Sequence, residues 1–158
     1  AGEILKSASQ LLTKAKDTTV QFEELANAGY IRDAEKEYAE ASTLLAIVTQ
    51  GLLPGPDVLG VDPSAYLNGL GEAVGELRRY LLDGIRNGDL SRGEELLSYM
   101  DDIYGVLVTM DYPDAITGGL RRTTDMVRGV LEKTRSDLTL IIQQKGLEHR
   151  LDVFKDNL

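Results

Sequence analysis

The sequence predicts an all-α protein, an antiparallel bundle of long helices. Apolar residues recur with the 3.6-residue period of amphipathic helices over most of the 158 residues. No segment shows the period-two alternation of a half-buried strand, and glycine or proline separates the periodic segments. Because the length suits one core of ordinary size, we expect residues 1–158 to form a single helical domain.

Composition excludes several classes of function. The chain has no cysteine, so it has no disulfide framework, no thiolate metal site and no cysteine nucleophile. No apolar run reaches the roughly 20 residues of a membrane span, and the first residues lack a signal-peptide pattern, so we expect a cytoplasmic protein with no membrane partner. The net charge of −9 argues against a surface that is basic throughout. Binding of a nucleic acid would therefore need a local group of arginines.

The first periodic segment predicts a helix from about residue 3 to about residue 28. Gly29 interrupts the pattern, and a second helix is predicted from about residue 31 to about residue 50. It ends in the segment 51–56, because the two prolines there cannot continue a helical hydrogen-bond ladder. Residues 57–61 are predicted to form a crossover loop.

Asp62 and Pro63 predict the N-cap and first residue of a third helix, which stops at Gly88. Each glycine inside a helix costs about 1 kcal/mol relative to alanine. A neighbouring backbone or a ligand is therefore expected to approach this helix closely. The interior glycines are Gly69, Gly71, Gly75 and Gly84.

The last two helices are predicted from caps and breaks. Ser91 and Glu94 have the spacing of a capping box and predict a fourth helix to about residue 109. The segment 112–114, which contains a proline, breaks it. A fifth helix is predicted from about residue 116 to about residue 145, with Gly146 closing it and residues 147–158 forming a short helix or an arm.

Two pairs of glutamates define the candidate site. At about 100° per residue, Glu37 falls in the middle of the apolar arc of the second helix. Glu40 lies about 60° from Glu37 around the helix axis, at the border of that arc. Glu72 and Glu76 share one stripe of the third helix. A buried carboxylate must be protonated, paired with a base or bound to a cation, and no lysine or arginine shares the arc of Glu37. Four carboxylates can thus converge between two helices, although a glutamate at the core edge that reaches water or an arginine is the alternative.

Three arginines are candidate phosphate ligands. Arg79 lies about one turn beyond Glu76 and could bind a phosphate, or could form a salt bridge with Glu76 or Asp83. Arg121 and Arg122, near the start of the last helix, could add phosphate contacts or could simply be solvated.

His149 is the single histidine and lies in a polar context, so it is predicted to be on the surface. A di-iron bundle needs paired Glu-x-x-His motifs, and neither Glu37 nor Glu72 has a histidine three residues later. A hydrolytic triad is equally unsupported.

Several motifs are shared with a known family. They are Glu37-Tyr38-Ala39-Glu40-Ala41, Tyr66-Leu67-x-Gly69, Gly75-Glu76-Leu77-x-Arg79, Asn87-Gly88-Asp89 and the Leu131-Glu132-Lys133 region. Together they resemble the translin and Trax family, and the first motif is similar to the Glu-Tyr-x-Glu-Ala of Trax proteins. The resemblance covers most of the chain and is closer to a Trax-like, prokaryotic-type subunit.

The resemblance implies an all-helical subunit of a hollow, octamer-like shell that binds single-stranded RNA or DNA. In Trax-type subunits it also implies RNA cleavage with magnesium held by acidic residues. The positions carried over are Glu37, Glu40, Glu72 and Glu76, a set that translin-type subunits lack in full. Glu72 stands where Trax has an aspartate one methylene shorter, which changes the reach of that ligand. The family's N-terminal helix is expected to be largely missing from this sequence.

Two functions follow as expectations. The first is a metal-dependent endoribonuclease acting on single-stranded RNA, since Mg²⁺, or Mn²⁺, prefers hard oxygen ligands such as these carboxylates. The second is a non-catalytic translin-like binding module or scaffold, in which the glutamates only form salt bridges between helices. We also expect a homo-oligomer in which the acidic cluster faces an enclosed interior.

Overall fold

The computed structural model describes residues 1–19, 22 and 29–156. These residues are predominantly helical and contain no strand, so the predicted all-α class is confirmed. The helices are α1 (Gly2–Thr19), α2 (Tyr30–Val48), α3 (Pro56–Leu59), α4 (Pro63–Arg86), α5 (Gly93–Thr109), α6 (Asp114–Thr117) and α7 (Leu120–Asp156).

Helix α4 lies at the centre of the bundle. It packs against α2 on one side and against α5 and α7 on others, while α1 packs against α2. Its buried apolar residues recur every three or four positions, as on one face of a helix, and include Leu70, Val74, Leu77 and Leu81. Among the helices of the described segments, none has both the length and the apolar character needed to cross a membrane.

The predicted bounds of the long helices near α4 are confirmed. Helix α2 begins after Gly29, whose φ of 81° lies in the left-handed region. Asp62 caps α4 as expected, since its Oδ1 accepts a hydrogen bond from the Ser64 N–H at 2.8 Å. Helix α1 is described from Gly2 to Thr19, and Phe22, which the prediction placed in the same helix, is not helical. The other residues of the predicted first helix, 20, 21 and 23–28, lie outside the described residues.

Two predictions about connections were wrong. The expected loop at 57–61 contains the short helix α3, because Pro56 starts the turn and Gly60, at φ 65°, caps it. The capping box at Ser91 does not form, because the N-cap of α5 is Arg92 and no side chain caps it. The Ser91 N–H instead donates a hydrogen bond to Asp89 Oδ1 at 2.9 Å.

The last helix differs from the prediction at both ends. Gly118 and Gly119, at φ 64° and 85°, separate α6 from α7, which starts at Leu120. Gly146 does not end α7, which continues to Asp156, because one glycine costs only about 1 kcal/mol among good helix formers. The buried residues of α7 nevertheless stop at Leu138.

Arg92 links two helix ends. Its Nη1 donates to the Val48 carbonyl and its Nη2 to the Ile47 carbonyl, both at 2.8 Å. These carbonyls belong to the last turn of α2, where the regular helical hydrogen bonds end, although the Ile47 carbonyl also accepts from the Gln50 N–H at 3.2 Å. Glu95 accepts two further hydrogen bonds from the same guanidinium and holds it in place. The C-terminal end of α2 is thereby fixed to the start of α5.

Candidate metal centre

Helices α2 and α4 approach closely at Gly69. A Cβ atom at Gly69 would lie 2.6 Å from the Lys36 carbonyl oxygen and 2.9 Å from the Ala39 Cβ. Gly71 is similarly crowded, with α7 as its neighbour, whereas a Cβ at Gly75 would meet nothing within 4 Å. The expected close approach to the third predicted helix is therefore confirmed, but only at particular glycines.

This contact brings three glutamates together. Glu40 follows Ala39 on α2, and Glu72 lies one turn beyond Gly69 on α4. One carboxylate oxygen from each of Glu37, Glu40 and Glu72 lies within 4.8 Å of the other two. The two helices thus place three carboxylates around one small volume.

The donor set fits a hard divalent cation. Octahedral Mg²⁺ binds oxygens at about 2.0–2.1 Å, which puts its ligand oxygens about 3–4 Å apart. Carboxylates whose oxygens are already within 4.8 Å reach that spacing by small side-chain rotations. An all-oxygen set of three acidic residues can hold Mg²⁺ or Mn²⁺ with water completing the coordination.

Glu76 lies at the edge of this group. It is not one of the three glutamates whose oxygens converge, and its side chain is 42% exposed. Its Oε2 lies 3.8 Å from Arg79 Nη1, but its charge still acts on Glu40. The ligand set of four carboxylates therefore stays a prediction, in which Glu76 is the outermost member.

Burial and neighbouring charges raise the pKa of Glu40 to about 7. Burial is the largest cause, followed by the negative charges of Glu37, Glu72 and Glu76, and Lys36 partly offsets them. Glu40 therefore exchanges its proton near neutral pH. A cation bound among these groups would remove the repulsion.

Glu37 is exposed, so the burial expected from its place in the middle of the apolar arc was wrong. The buried side of α2 lies about 160° away from Glu37 around the helix axis. The arc that contains Ala34, Glu37 and Ala41 instead borders apolar grooves beside α1, which covers it only in part. The buried positions on α2 are Glu35, Ala39, Ser42, Thr43 and Ile47.

Glu35 is the buried carboxylate of α2. It forms an ion pair with Lys16 of α1 and accepts a hydrogen bond from the Asp62 N–H at 3.2 Å. Lys16 also donates to the Gly60 carbonyl at 2.5 Å. Because these partners satisfy the charge, Glu35 joins α1, α2 and the start of α4 and is not free to bind a ligand.

Lys36 is a member of the site that the sequence analysis did not identify. Its Nζ lies 2.9 Å from Glu72 Oε1. This hydrogen bond, helped by the charges of Glu72, Asp33 and Glu37, raises the pKa of Lys36, while burial opposes the change. Lys36 lies about 100° from Glu37 on the helix, outside the arc on which a counter-ion was sought. Only the α2–α4 contact reveals that it faces Glu72.

A cavity of about 770 Å³ adjoins the cluster on the side of Glu72. It lies between α2, α4 and the start of α7, and three cationic side chains contribute to its wall. Its polar lining includes Arg32, Asp33, Lys36, Asn68, Glu72, Arg122 and Thr123. Of the predicted phosphate ligands, Arg122 thus lies beside the glutamates.

The other candidate side chains are more remote from the cavity. Arg121 is exposed and does not line it. Arg79 is 72% exposed and lies beside Glu76, which was the alternative expected for it. His149 is exposed on α7, so its predicted surface position is confirmed.

Asn68 fixes the wall of the cavity that carries Arg122. Its Nδ2 donates to the carbonyls of Ser64 and Thr117 at 2.8 Å each, and its Oδ1 accepts from the Thr123 hydroxyl at 2.7 Å. The amide is buried, and both its nitrogen and its oxygen are hydrogen-bonded. Asn68 therefore ties α4 to the α6–α7 turn. This connection sets the position of Arg122 relative to Glu72.

A comparison with solved structures shows where this architecture recurs. The chain matches the crystal structure of AfC3PO with 34% identity and a TM-score of 0.78, over 90% of this chain and 74% of that one. The complex of AfC3PO with duplex RNA matches at 33% identity with the same TM-score and coverage. The crystal structure of apo-NeC3PO matches with 21% identity and a TM-score of 0.78, over 89% of this chain and 73% of that one. At this identity the match shows the fold alone.

Sequence relatives are consistent with these matches. An uncharacterized protein of Methanocaldococcus jannaschii is 34% identical over 124 residues, which are 78% of this chain. The chain spans 55% of the length of that relative. No family model matches the chain.

Together the fold and the matches define the class: an all-helical protein built like the subunits of C3PO. The chain belongs to the translin/Trax family.

Proposed function

We propose that this chain is a Trax-type subunit, a metal-dependent endoribonuclease that binds and cleaves single-stranded RNA. The observation that carries the proposal is the convergence of Glu37, Glu40 and Glu72 within 4.8 Å in a member of this family. The solved complex of AfC3PO with duplex RNA supports RNA as the class of ligand. Single-stranded DNA, which has a similar backbone, is the second ligand that we expect.

In this proposal Glu37, Glu40 and Glu72 hold Mg²⁺, or Mn²⁺, and Glu76 is the fourth acidic residue of the site. When bound, the cation supplies Lewis-acid chemistry, activating water and stabilising the negative charge that develops on the phosphate. The carboxylates hold the cation in a fixed position, because both pairs of glutamates are on helices that are fixed by the contact at Gly69. Glu40, whose pKa is about 7, holds or releases its proton near neutral pH.

The cationic wall of the cavity binds the RNA backbone. Arg32 and Arg122 lie beside Glu72 and can contact phosphates that flank the reacting one. The chain carries a net charge of −9, so most of its exterior repels RNA, and screening by salt limits that repulsion to about 8 Å. Binding is therefore concentrated where these arginines invert the local field. A flexible single strand can bend to reach carboxylates that lie between two helices.

We also propose that the protein is a cytoplasmic homo-oligomer, built as an octamer-like shell with the glutamate cluster facing its interior. Ile4 and Leu11 on α1 are 73% and 68% exposed. Such side chains next to apolar grooves favour self-association, because burying them removes apolar area from water. The proposal takes residues 1–158 as one domain, in line with the contacts of α4 with α2, α5 and α7.

Incubation with a labelled, unstructured RNA tests the proposal. We expect cleavage in Mg²⁺ that stops when a chelator is added. Glu37→Ala and Glu76→Ala should remain folded, because both side chains are solvent-accessible. Both variants should lose cleavage, because each substitution removes an acidic group from the site. Cleavage that resists the chelator, or no cleavage at all, would contradict the proposal.

The second candidate is a non-catalytic translin-like binding module or scaffold. The observation that favours it is that two of the glutamates already have partners: Glu72 with Lys36 at 2.9 Å and Glu76 with Arg79 at 3.8 Å. If these ion pairs are the purpose of the glutamates, Glu76→Ala should lose stability, and the RNA should stay intact with every protein.

A further inference from the structure

Lys36 occupies an unusual place in the glutamate cluster. We propose that its ammonium group is the resident counter-ion of the cluster and competes with the divalent cation for Glu72, so that Lys36 sets the affinity of the metal site. This inference rests on the proposed metal site and adds a residue that tunes it.

The geometry brings the two cations to the same carboxylate, that of Glu72. Lys36 Nζ is 2.9 Å from Glu72 Oε1, a normal charge-assisted hydrogen bond. A divalent cation bound to that oxygen at about 2.1 Å would face a like charge within a few ångströms, since the ammonium approaches the same atom. Lys36 must therefore release Glu72, or at least turn away from it, when the metal binds.

The surroundings of Lys36 favour this exchange. Its side chain is 26% exposed and also lines the adjoining cavity, so the released ammonium can turn towards solvent without being buried unpaired. Its negative neighbours are Asp33, Glu37 and Glu72. Lys36 therefore supplies one positive charge to the metal-free cluster. Without that charge, the three converging carboxylates would repel each other unopposed.

A positioning role makes the opposite prediction. If Lys36 only holds Glu72 in the orientation that the metal requires, removing Lys36 frees Glu72 to rotate, and the metal binds more weakly. Competition removes an unfavourable charge instead, and the metal binds more tightly.

Calorimetric titration with Mn²⁺ at low ionic strength and neutral pH distinguishes the two roles. We expect Lys36→Gln to bind Mn²⁺ about tenfold more tightly than the original chain, a change that the loss of one nearby charge can produce. Lys36→Arg keeps the charge and should bind with an affinity close to that of the original chain. Lys133→Gln removes an exposed lysine of α7 and serves as the matched control.

Thermal melting provides a second readout that does not depend on activity. In chelator, Lys36→Gln should melt at a lower temperature than the original chain, because the carboxylates lose their counter-ion. Saturating Mn²⁺ should close that gap, and Lys133→Gln should show no such metal-dependent change.

Equal or weaker Mn²⁺ affinity in Lys36→Gln would overturn the competition while leaving the proposed metal site intact. If neither protein binds Mn²⁺ at millimolar concentrations, the metal site fails as well, and the proposed function fails with it.

Discussion

Glu40 is a glutamate of the cluster whose charge depends strongly on its surroundings. Its pKa rises from 4.5 to about 7, chiefly through burial and then through the charges of Glu37, Glu72 and Glu76. Ionised Glu40 therefore opposes folding in the absence of metal. The same repulsion is what a bound cation would relieve, so one residue links stability, pH and metal binding.

We expect Glu40→Gln to stabilise the metal-free protein at about pH 8. The unfolded carboxyl titrates near 4.5 and the folded one near 7, so the folded state binds more protons between these values. The stability that this group contributes is present below pH 4.5 and is lost as the pH rises through 7. Melting temperatures in chelator should thus differ between the variant and the original chain at high pH and converge near pH 4.5.

Glu132→Gln, which changes an exposed glutamate of α7, is the control for that comparison. At high pH its melting temperature should not exceed that of the original chain by an amount that disappears at low pH. If Glu40→Gln shows no greater gain than this control, Glu40 does not carry the raised pKa.

The sequence predicted the acidic residue types of the site but not their surroundings. Glu37, Glu40 and Glu72 could be found because residue spacing places them on helix faces that can meet. Lys36 could not, because its contact with Glu72 depends on how α2 and α4 are rotated against each other. The apolar arc around Glu37 indicated the wrong rotation, since apolar residues also occupy the exposed grooves beside α1.

At the scale of elements, the contact between α2 and α4 holds the site together. Gly69 allows the two backbones to approach at Lys36 and Ala39. Glu40 lies at this contact on α2, and Glu72 lies one turn beyond Gly69 on α4. Any side chain at Gly69 must push α2 away from α4 or distort one of them. The distance between Glu40 and Glu72 should respond directly to this change.

Gly69→Ala should destabilise the protein by about 1–3 kcal/mol, as overpacking does in a close contact. Gly75→Ala is the matched control in the same helix, and because its Cβ meets no atom within 4 Å it should be neutral or should stabilise by about 0.5–1 kcal/mol. Urea denaturation of the two variants measures both effects. A Gly69→Ala variant as stable as Gly75→Ala would show that the helices do not meet as described.

The sequence predicted the long helices α2 and α4 because their ends carry glycine, proline or a capping aspartate. Helix α5 was predicted from a capping box that does not form and from the proline-containing segment that follows it. The short helices α3 and α6 were not predicted, since a single turn has too few residues to show a period. Gly146 was assigned as a helix end, but glycine is only mildly unfavourable inside a helix. The Gly118–Gly119 break was missed because the apolar period continues across it.

At the scale of the whole molecule, charge and apolar exposure favour different kinds of partner. The net charge of −9 limits RNA to local cationic surfaces, whereas Ile4 and Leu11 present apolar side chains on α1. An assembly that buries this apolar surface and encloses the cavities would meet both conditions. A homo-oligomer with the clusters inside is therefore the form in which we expect the protein to act.

Light scattering coupled to size-exclusion chromatography checks this expectation. At micromolar concentration the original chain should elute as an oligomer, and the double variant Ile4→Glu, Leu11→Glu should shift towards smaller species as charge repels the apolar contact. Thr13→Glu, an exposed position of the same helix, is the control for added charge alone. A monomeric original chain that still cleaves RNA would rule out the enclosed assembly and leave the metal chemistry in place.

We propose above all that Glu37, Glu40 and Glu72 form a binding site for a divalent cation. Anomalous diffraction from crystals soaked in Mn²⁺ measures this directly. We expect a strong anomalous peak among these three carboxylates, with Mn–O distances of about 2.2 Å, and its loss in Glu72→Gln crystals soaked in the same way. No peak at the cluster under saturating Mn²⁺, or a peak only at unrelated surface carboxylates, would contradict the account.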